Sequence, residues 1–255
     1  MMLSRATVIL GAAVWFLAPC AVPVSNQATA CSRVLYESPS GQIITGRSME
    51  WYEDQHPNLW VFPRGMERSG ATRQNPAVWS SKYGSVVTSA YDIGTADGIN
   101  EKGLVANMLF LDESDYGARD PARPGLVLSL WAQYYLDNFA TVAEAVEASQ
   151  PEPLQVVTMQ FGETRKISGT MHLSLADATG DSAVLEYLNG KLVIHHGRQF
   201  KVMTNEPNYD KQLALLKENK LMGGNRSHPP GQAALGAGIF GCGVPVRAAA
   251  MRSRA

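Results

Sequence analysis

The sequence predicts an α+β protein, because two groups of strand-like segments flank a pair of helical segments. The strand-like segments are short, rich in β-branched and aromatic residues, and separated by turns of glycine, proline, asparagine and aspartate. The segments between them carry apolar residues at helical spacing instead. Strands, two helices and then further strands do not alternate as a βαβ chain does, so we expect antiparallel sheets that are covered by helices.

The first group of strands opens with a hairpin. SRVLYES (32–38) and QIITGRSM (42–49) are rich in strand-forming residues, and the proline and glycine between them favour a tight turn. We interpret DGINEKG (97–103) as another turn, which precedes the last strand of the group. The remaining strands of this group are expected at 58–65, 85–91 and 104–111.

The central helices follow from their apolar spacing. One helix is predicted by Leu128, Trp131, Tyr135, Leu136 and Phe139, and the next by Val142, Ala145 and Val146. After residue 169 the alternation of strands returns, with ATGD and NG as the turns. YDKQLALLKEN (209–219) then predicts a closing helix.

The first thirty residues have the layout of a secretory signal peptide. Arg5 is their only charged residue; an apolar run (6–22) follows it, and the segment ends in Ala28-Thr29-Ala30. The run is shorter than the ~20 residues of a spanning helix and contains Pro19, so a retained anchor is the weaker interpretation. We expect cleavage before Cys31 and a periplasmic or secreted protein. Acylation of Cys31, as in a lipoprotein, is the alternative.

The rest of the chain predicts one domain. No linker or low-complexity break occurs before about residue 222, and the apolar content suits a single core. We therefore expect a signal peptide at 1–30, one domain at 31–231, and an atypical tail at 232–255 without a fixed structure.

The composition excludes several classes of function. A formal net charge of −1 offers no basic surface for nucleic acid. Removal of the signal leaves Cys31 and Cys242, which are too few for a disulfide framework. His195 and His196 are adjacent in a strand, so they point to opposite faces and do not form a metal site by themselves. The glycine turns lack phosphate-loop spacing, and we expect no cofactor.

Cys31 is the candidate for chemistry. A cysteine that begins a chain carries both a nucleophilic sulfur and an α-amine that serves as its general base. Arg47, at the end of the predicted hairpin, would supply a positive charge that favours the thiolate. In the alternative interpretation Cys31 is a small buried hydrophobic residue, and Arg47 pairs with Glu50 on the surface.

Three motifs resemble those of the choloylglycine hydrolase and penicillin V acylase family. CSRVLYESPSGQIITGRSMEW (31–51) resembles the start of the mature family proteins, with arginine sixteen residues after cysteine, at Arg47. ADGINEKGL (96–104) resembles the family's DG-x-NEKGL segment, and VMTNEPNYDKQL (202–213) its TN-x-P-x-(F/Y)-D segment. Neighbouring segments resemble the exported Gram-negative branch.

The resemblance implies an N-terminal-nucleophile hydrolase, a four-layer αββα sandwich that cleaves linear amide bonds. Cys31 is then the nucleophile, and Arg47 lies near the thiol. Glu50 stands where the family usually has the aspartate that holds the α-amine. Asn205 matches the asparagine whose side chain stabilises the oxyanion. Phe110 falls near a second polar contact in some members, although a core strand residue is the better interpretation.

The resemblance also implies substrates and an assembly state. The expected substrates are small acyl amides, namely conjugated bile salts, penicillin V or N-acyl homoserine lactones, and the expected assembly is a homo-oligomer, a tetramer in relatives. No stable membrane insertion is expected after signal cleavage. Trp51, Trp60, Trp79 and Phe62 either line an apolar acyl pocket or belong to the core.

The end of the chain departs from the family pattern. After Gly231 the strand alternation is lost, and Val244 stands where the family has a further arginine. We interpret this end as truncated or frameshifted. An exported, catalytically impaired relative that at most binds acyl ligands is therefore the alternative to an active amidase.

Overall fold

The computed structural model describes residues 31–161 and 167–222. The expected signal peptide (1–30) and tail (232–255) lie outside these described residues. The helices are α1 (Trp131–Asn138), which a 3-10 turn (Leu128–Leu130) precedes, α2 (Val142–Ser149) and α3 (Tyr209–Met222). The strands are β1 (Ser32–Glu37), β2 (Ile43–Ser48), β3 (Leu59–Phe62), β4 (Glu67–Ser69), β5 (Val78–Ser80), β6 (Ser85–Ala90), β7 (Gly94–Asn100), β8 (Val105–Phe110), β9 (Gly125–Val127), β10 (Gln155–Val157), β11 (Gln160–Phe161), β12 (Ile167–Ser168), β13 (Met171–Ala176), β14 (Ser182–Leu188), β15 (Lys191–His196) and β16 (Val202–Thr204).

Two antiparallel sheets organise these elements. The larger sheet has seven strands in the order β15-β14-β13-β8-β7-β6-β3, and the smaller has three in the order β16-β1-β2. The other strand pairs are β4-β5, β9-β10 and β11-β12, of which β9-β10 is parallel. In the larger sheet the two groups of strands that the sequence predicts meet at the β13-β8 pair.

Helices cover one face of the larger sheet, and the smaller sheet covers part of the other. Helix α1 packs on β7 and β8, and α2 packs on β14. Trp131, Leu136 and Val142 anchor these helices in the main apolar core. On the opposite face a second core contains Met203 of the smaller sheet and Tyr209, where α3 begins. This is the α+β arrangement that the sequence predicts, and its layers are those of the αββα sandwich.

Most expected elements are confirmed. The hairpin, the strands near 58–65, 85–91 and 104–111, the central helices and the closing helix all form. One interpretation is wrong: the first half of DGINEKG belongs to β7, and the turn itself begins at Asn100. Asn100 Oδ1 accepts hydrogen bonds from the backbone N–H groups of Lys102 and Leu104, so its side chain organises the turn. Gly103 there has a φ of 86°, which favours glycine.

Part of the inner face of the larger sheet is exposed. Val61 pairs with Val86, and Val86 pairs with Ile99, so the three side chains form one row across β3, β6 and β7. Their exposed fractions are 68%, 44% and 47%. Ile99 shares its face with Asp97, which contacts the smaller sheet through Arg47. This open row, defined by Val61, Val86 and Ile99, therefore continues the surface that the smaller sheet covers elsewhere.

None of the helices in the described ranges is long and apolar enough to cross a membrane.

Candidate active site

Cys31 lies directly before β1, between the two sheets, and 3% of it is exposed. Its thiol donates to the backbone oxygen of Glu50 over 3.8 Å. Its own carbonyl oxygen accepts a 2.9 Å hydrogen bond from Thr204 Oγ1. Leu109 and Val184 of the larger sheet pack in the same small core. The sulfur is therefore held at a fixed point of the interface.

Strand register brings Asn205 to Cys31. In the antiparallel β1-β16 pair, Ser32 stands opposite Thr204. Continuing this register by one residue places Asn205 opposite Cys31. Asn205 is buried, with 6% exposed. Two residues that the sequence separates widely, and that we predicted for one site, thus lie side by side.

Arg47 reaches across to the larger sheet. One guanidinium nitrogen forms an ion pair with Asp97, and the other donates a 2.8 Å hydrogen bond to the carbonyl oxygen of Met108. The side chain of Arg47 is 9% exposed. The alternative of a surface pair between Arg47 and Glu50 is therefore wrong, because the carboxylate partner is Asp97 of β7.

Asp97 is a residue of the site that sequence reasoning missed. Its second oxygen accepts a 2.8 Å hydrogen bond from Asn107 Nδ2, so the carboxylate is held from two sides. Asp97 belongs to the ADGINEKGL motif, which the sequence analysis interpreted as a turn. A turn gives no reason to expect its side chain at the interface between the sheets. Within a strand the same aspartate points at the smaller sheet.

Glu50 lies next to the thiol through its backbone. Its carbonyl oxygen accepts from Cys31, while its carboxylate accepts a 3.4 Å hydrogen bond from Ser48 Oγ. The role of this carboxylate in holding an α-amine stays a prediction.

An apolar cleft of about 690 Å³, open to solvent, lies beside the thiol. Cys31 and Arg47 both line it, and most of the other lining groups are apolar. This volume includes the solvent-filled mouth of the cleft. The apolar lining includes Met49, Trp51, Ile93, Met108, Phe110 and Met171.

Aromatic side chains form one wall of the cleft. Trp51 and Phe110 lie with ring centroids 5.9 Å apart. The indole N–H of Trp51 donates to Tyr91 Oη over 2.8 Å, and Tyr91 in turn donates to Glu53 over 2.6 Å. Desolvation, and then the bond to Glu53, raise the pKa of Tyr91 well above its ordinary value, so this hydroxyl remains protonated. Phe110 is a wall residue of the cleft, where the sequence favoured a plain core role.

The floor of the cleft depends on the absence of a side chain at Gly94. A Cβ atom there would stand 2.5 Å from both Cβ and the carbonyl oxygen of Ser129. Gly94 and Ser129 both line the cleft. The glycine therefore allows β7 to approach the turn before α1.

The other aromatic candidates lie elsewhere. Trp79 is in the main core and donates to Asp137 over 2.8 Å, which confirms the core interpretation for this residue. Trp60 stacks on Phe62 with an interplanar angle of 8° and is 45% exposed. Of the three tryptophans proposed for an acyl pocket, only Trp51 lines the cleft.

Arg33, a second arginine of the interface, was also missed. It is 0% exposed, and its guanidinium donates to Ser182 Oγ, to the carbonyl oxygen of Phe200 and to that of Leu175, at 3.2 to 3.3 Å. Desolvation lowers the pKa of Arg33 to about 10, so the group is still charged at neutral pH. Arg33 alternates with Cys31 and Leu35 in the sequence, which places its side chain on the inner face of β1. This alternation could have indicated that Arg33 is buried.

A buried carboxylate fixes the start of α3, four residues after Asn205. Both oxygens of Glu186 accept from the backbone N–H of Tyr209, at 3.0 and 3.1 Å. Glu186 Oε1 also lies 2.9 Å from His172 Nδ1, and both side chains are fully buried. His172 is thus a buried structural residue of the larger sheet.

Among residues 31–161 and 167–222 no cluster of three or more histidine, cysteine, aspartate or glutamate side chains is arranged to hold a metal ion.

The sequence of the chain identifies its relatives. Residues 31–247 match the profile of the linear amide C-N hydrolases, choloylglycine hydrolase family. The chain belongs to this family. It is 49% identical over 205 residues to a penicillin V acylase of Pectobacterium atrosepticum, and 27% identical over 193 residues to a bile salt hydrolase/transferase of Clostridium perfringens.

Solved structures of the family share the fold. A penicillin V acylase from Agrobacterium tumefaciens superposes with a TM-score of 0.70 at 52% identity and covers 78% of this chain. A conjugated bile acid hydrolase from Clostridium perfringens, in variant form, gives 0.63 at 25% identity and covers 74%. The match spans 60% and 57% of these two chains.

The chain also spans about half the length of the curated relatives it matches. The aligned part is 54% of the Pectobacterium protein and 57% of the Clostridium protein.

Proposed function

We propose that the protein hydrolyses linear amides of small apolar acids, with Cys31 as an N-terminal nucleophile. The observation that carries the proposal is that the buried thiol lines an apolar cleft. Asn205 stands beside it in strand register, and Arg47 is fixed by Asp97. Membership of an amide hydrolase family supports the reaction class.

The reaction begins with maturation. Cleavage after Ala30 during export to the periplasm frees the α-amine of Cys31. This amine takes the thiol proton, and the sulfur attacks the amide carbonyl carbon. The side-chain amide of Asn205 stabilises the resulting oxyanion. Collapse breaks the C–N bond, and the proton from the α-ammonium leaves with the amine product.

Water completes the turnover. The same α-amine removes a proton from water, the hydroxide attacks the thioester, and the carboxylic acid departs as the thiol is restored. Glu50 would hold the α-amine in place through these steps. Arg47, tied to Asp97 and Met108, keeps β2 against the larger sheet beside the reacting group.

The cleft restricts the acyl part of the substrate. Its walls are Trp51, Phe110 and methionines, which suit an aromatic, aliphatic or steroidal acyl group rather than a charged one. The names of the relatives point to penicillin V and to conjugated bile salts. N-acyl homoserine lactones share the same chemistry, an apolar acyl group on a small amine. We further propose that the working protein is a homo-oligomer.

The decisive experiment measures amine release from a panel of these three amide classes. The protein is secreted, its intact mass is measured, and Cys31→Ala and Cys31→Ser are compared with Cys242→Ser as the control. We expect a mature mass that begins at Cys31, no turnover in Cys31→Ala, and much weaker turnover in Cys31→Ser because a hydroxyl is far less ionised than a thiol. Full activity of a folded Cys31→Ala protein would refute the mechanism.

A second candidate function is acyl-ligand binding without turnover. It is favoured by the apolar lining of the cleft, which suits an acyl group whether or not an amide bond is cleaved there. Calorimetric titration with the free acids would detect binding in the cleft, and the absence of amine release in the same preparation would select this alternative. Trp51→Ala should weaken such binding, whereas Trp60→Ala, outside the cleft, should not.

A further inference from the structure

We propose that Arg33 is a positioning residue of the reaction, which acts through Cys31. Its buried positive charge stabilises the negative charge that develops on the sulfur. The proposal rests on the proposed function in one respect, since it takes Cys31 as the nucleophile.

The geometry places the charge near the thiol. Arg33 follows Cys31 by two residues at the start of β1, so both side chains point to the larger sheet. Two residues of a strand span about 7 Å. Neither side chain is solvated, since the exposed fractions are 0% for Arg33 and 3% for Cys31. This spacing relates the two Cα atoms; because both side chains are buried on the same face, the field of the guanidinium reaches the sulfur through protein, which screens it less than water does.

No carboxylate balances this charge among the described residues. The acceptors of its hydrogen bonds are Ser182 Oγ and the carbonyl oxygens of Phe200 and Leu175, all neutral. Arg47 differs, because its ion pair with Asp97 offsets its charge. At this interface the charge of Arg33 therefore lacks an ion-pair partner among the described residues, whereas the charge of Arg47 has one.

The other ionisable groups described around this small core form no ion pair with Arg33. Burial raises the pKa of Tyr209 to about 12, so its phenol is neutral near pH 7. The carboxylate of Glu186 is engaged by His172 and by the N-terminus of α3. On the neighbouring strand β15, His195 Nδ1 lies 4.0 Å from Asp210 Oδ1.

Packing alone does not require an arginine at this position. A buried charge without a partner costs folding free energy, and an apolar side chain of similar shape avoids that cost. The two carbonyl groups that accept from Arg33 also lie within hydrogen-bonding distance of Ser182 Oγ, at 2.8 Å for Phe200 and 3.2 Å for Leu175. An apolar replacement should therefore fold, which separates the electrostatic role of Arg33 from a structural one.

The test compares the charge-deleting Arg33→Met with the charge-retaining Arg33→Lys. The control is Arg68→Met, which removes a partly buried arginine that pairs with Asp137; Asp137 also accepts from Trp79 of the main core, whereas Cys31 belongs to the second core. Each mature protein is alkylated with iodoacetamide at pH 7, and the rate at Cys31 is followed by peptide mass spectrometry. Thermal midpoints are measured in parallel, with kcat and KM wherever amide turnover is detected.

We expect alkylation of Cys31 at least tenfold slower in Arg33→Met, at an unchanged or raised thermal midpoint. kcat should fall similarly, with KM within twofold. Arg33→Lys should stay within about threefold of the parent rate. Arg68→Met should lower the midpoint and leave the alkylation rate unchanged.

The proposal is overturned if Arg33→Met alkylates at the parent rate, if Arg33→Lys is as slow as Arg33→Met, or if Arg33→Met no longer unfolds cooperatively. The alkylation rate does not depend on turnover. If the parent protein shows no amide turnover but Arg33→Met is still alkylated more slowly than the parent, the result counts against the amidase function. The same result supports the role of Arg33.

Discussion

Arg33 and Arg47 lie directly opposite each other on neighbouring antiparallel strands, and their guanidinium groups diverge. β1 and β2 pair them in register. Arg47 reaches β7 and β8, whereas Arg33 reaches β13 and β14. Like charges opposite each other in a sheet repel, so the pair is tolerated because each group finds separate acceptors. Cys31 therefore precedes a strand that Arg33 attaches to the larger sheet, and Arg47 attaches the neighbouring strand β2.

Asp97→Asn should destabilise the protein by about 1–3 kcal/mol, because the buried Arg47 loses its counter-charge but keeps an oxygen acceptor. Urea unfolding measures the loss. Glu101→Gln, in the more exposed pair with Arg64, is the matched control and should cost less. Equal losses of unfolding free energy in the two variants would mean that the burial of Arg47 does not strengthen its ion pair with Asp97.

Gly94→Ala should destabilise the protein by about 1–3 kcal/mol, because the added methyl group overlaps Ser129. It should also narrow the cleft and raise KM for amides with bulky acyl groups more than for small ones. Gly65→Ala is a useful control, since that glycine has no atom within 4 Å of an added Cβ. Its cost is limited to the strain of its φ of 75°. A Gly94→Ala protein with unchanged stability and KM would show that β7 moves away from Ser129 freely.

Glu186→Ala should cost about 3–5 kcal/mol, because it leaves the N–H of Tyr209 and the ring of His172 without their acceptor. Glu186→Gln, which retains an oxygen, should cost less. Thermal unfolding gives the ranking. Similar losses for both variants would indicate that the charge of Glu186, rather than its hydrogen bonds, holds the start of α3.

Alkaline stability should depend on Tyr135. Burial raises the pKa of this fully buried phenol to about 12. Because the folded pKa exceeds the unfolded value near 10, the contribution of Tyr135 is complete below pH 10 and is lost as the pH rises through 12. Between pH 10 and 12 the wild type should therefore lose more free energy of unfolding than Tyr135→Phe. Tyr36→Phe, at an exposed position, should follow the wild type, and parallel curves for all three proteins would contradict the assignment.

The sequence predicted local structure better than contacts between the sheets. The hairpin and the central helices follow from alternation and apolar spacing. Asp97 and Arg33 escaped prediction because their partners lie on the other sheet: alternation places Arg33 on the inner face of β1, but no local pattern encodes what it contacts there. The interpretation of DGINEKG as a turn was wrong for a related reason: a polar, glycine-containing strand next to a real turn lacks the usual apolar alternation.

The open row of Val61, Val86 and Ile99 implies that the backbone amides of the larger sheet differ in their protection against hydrogen exchange. Strands β8, β13 and β14 have a neighbour on each side and apolar cores above and below, so their amides should exchange with deuterium only when the whole molecule opens. Strand β3 is an edge with apolar side chains in water, and its amides should exchange through local opening at much lower cost. The thiol lies on the slowly exchanging side, whereas the cleft reaches β6 and β7 toward the fast side. The outer strands beside the cleft should therefore deform more readily than the part of the sheet that holds Cys31.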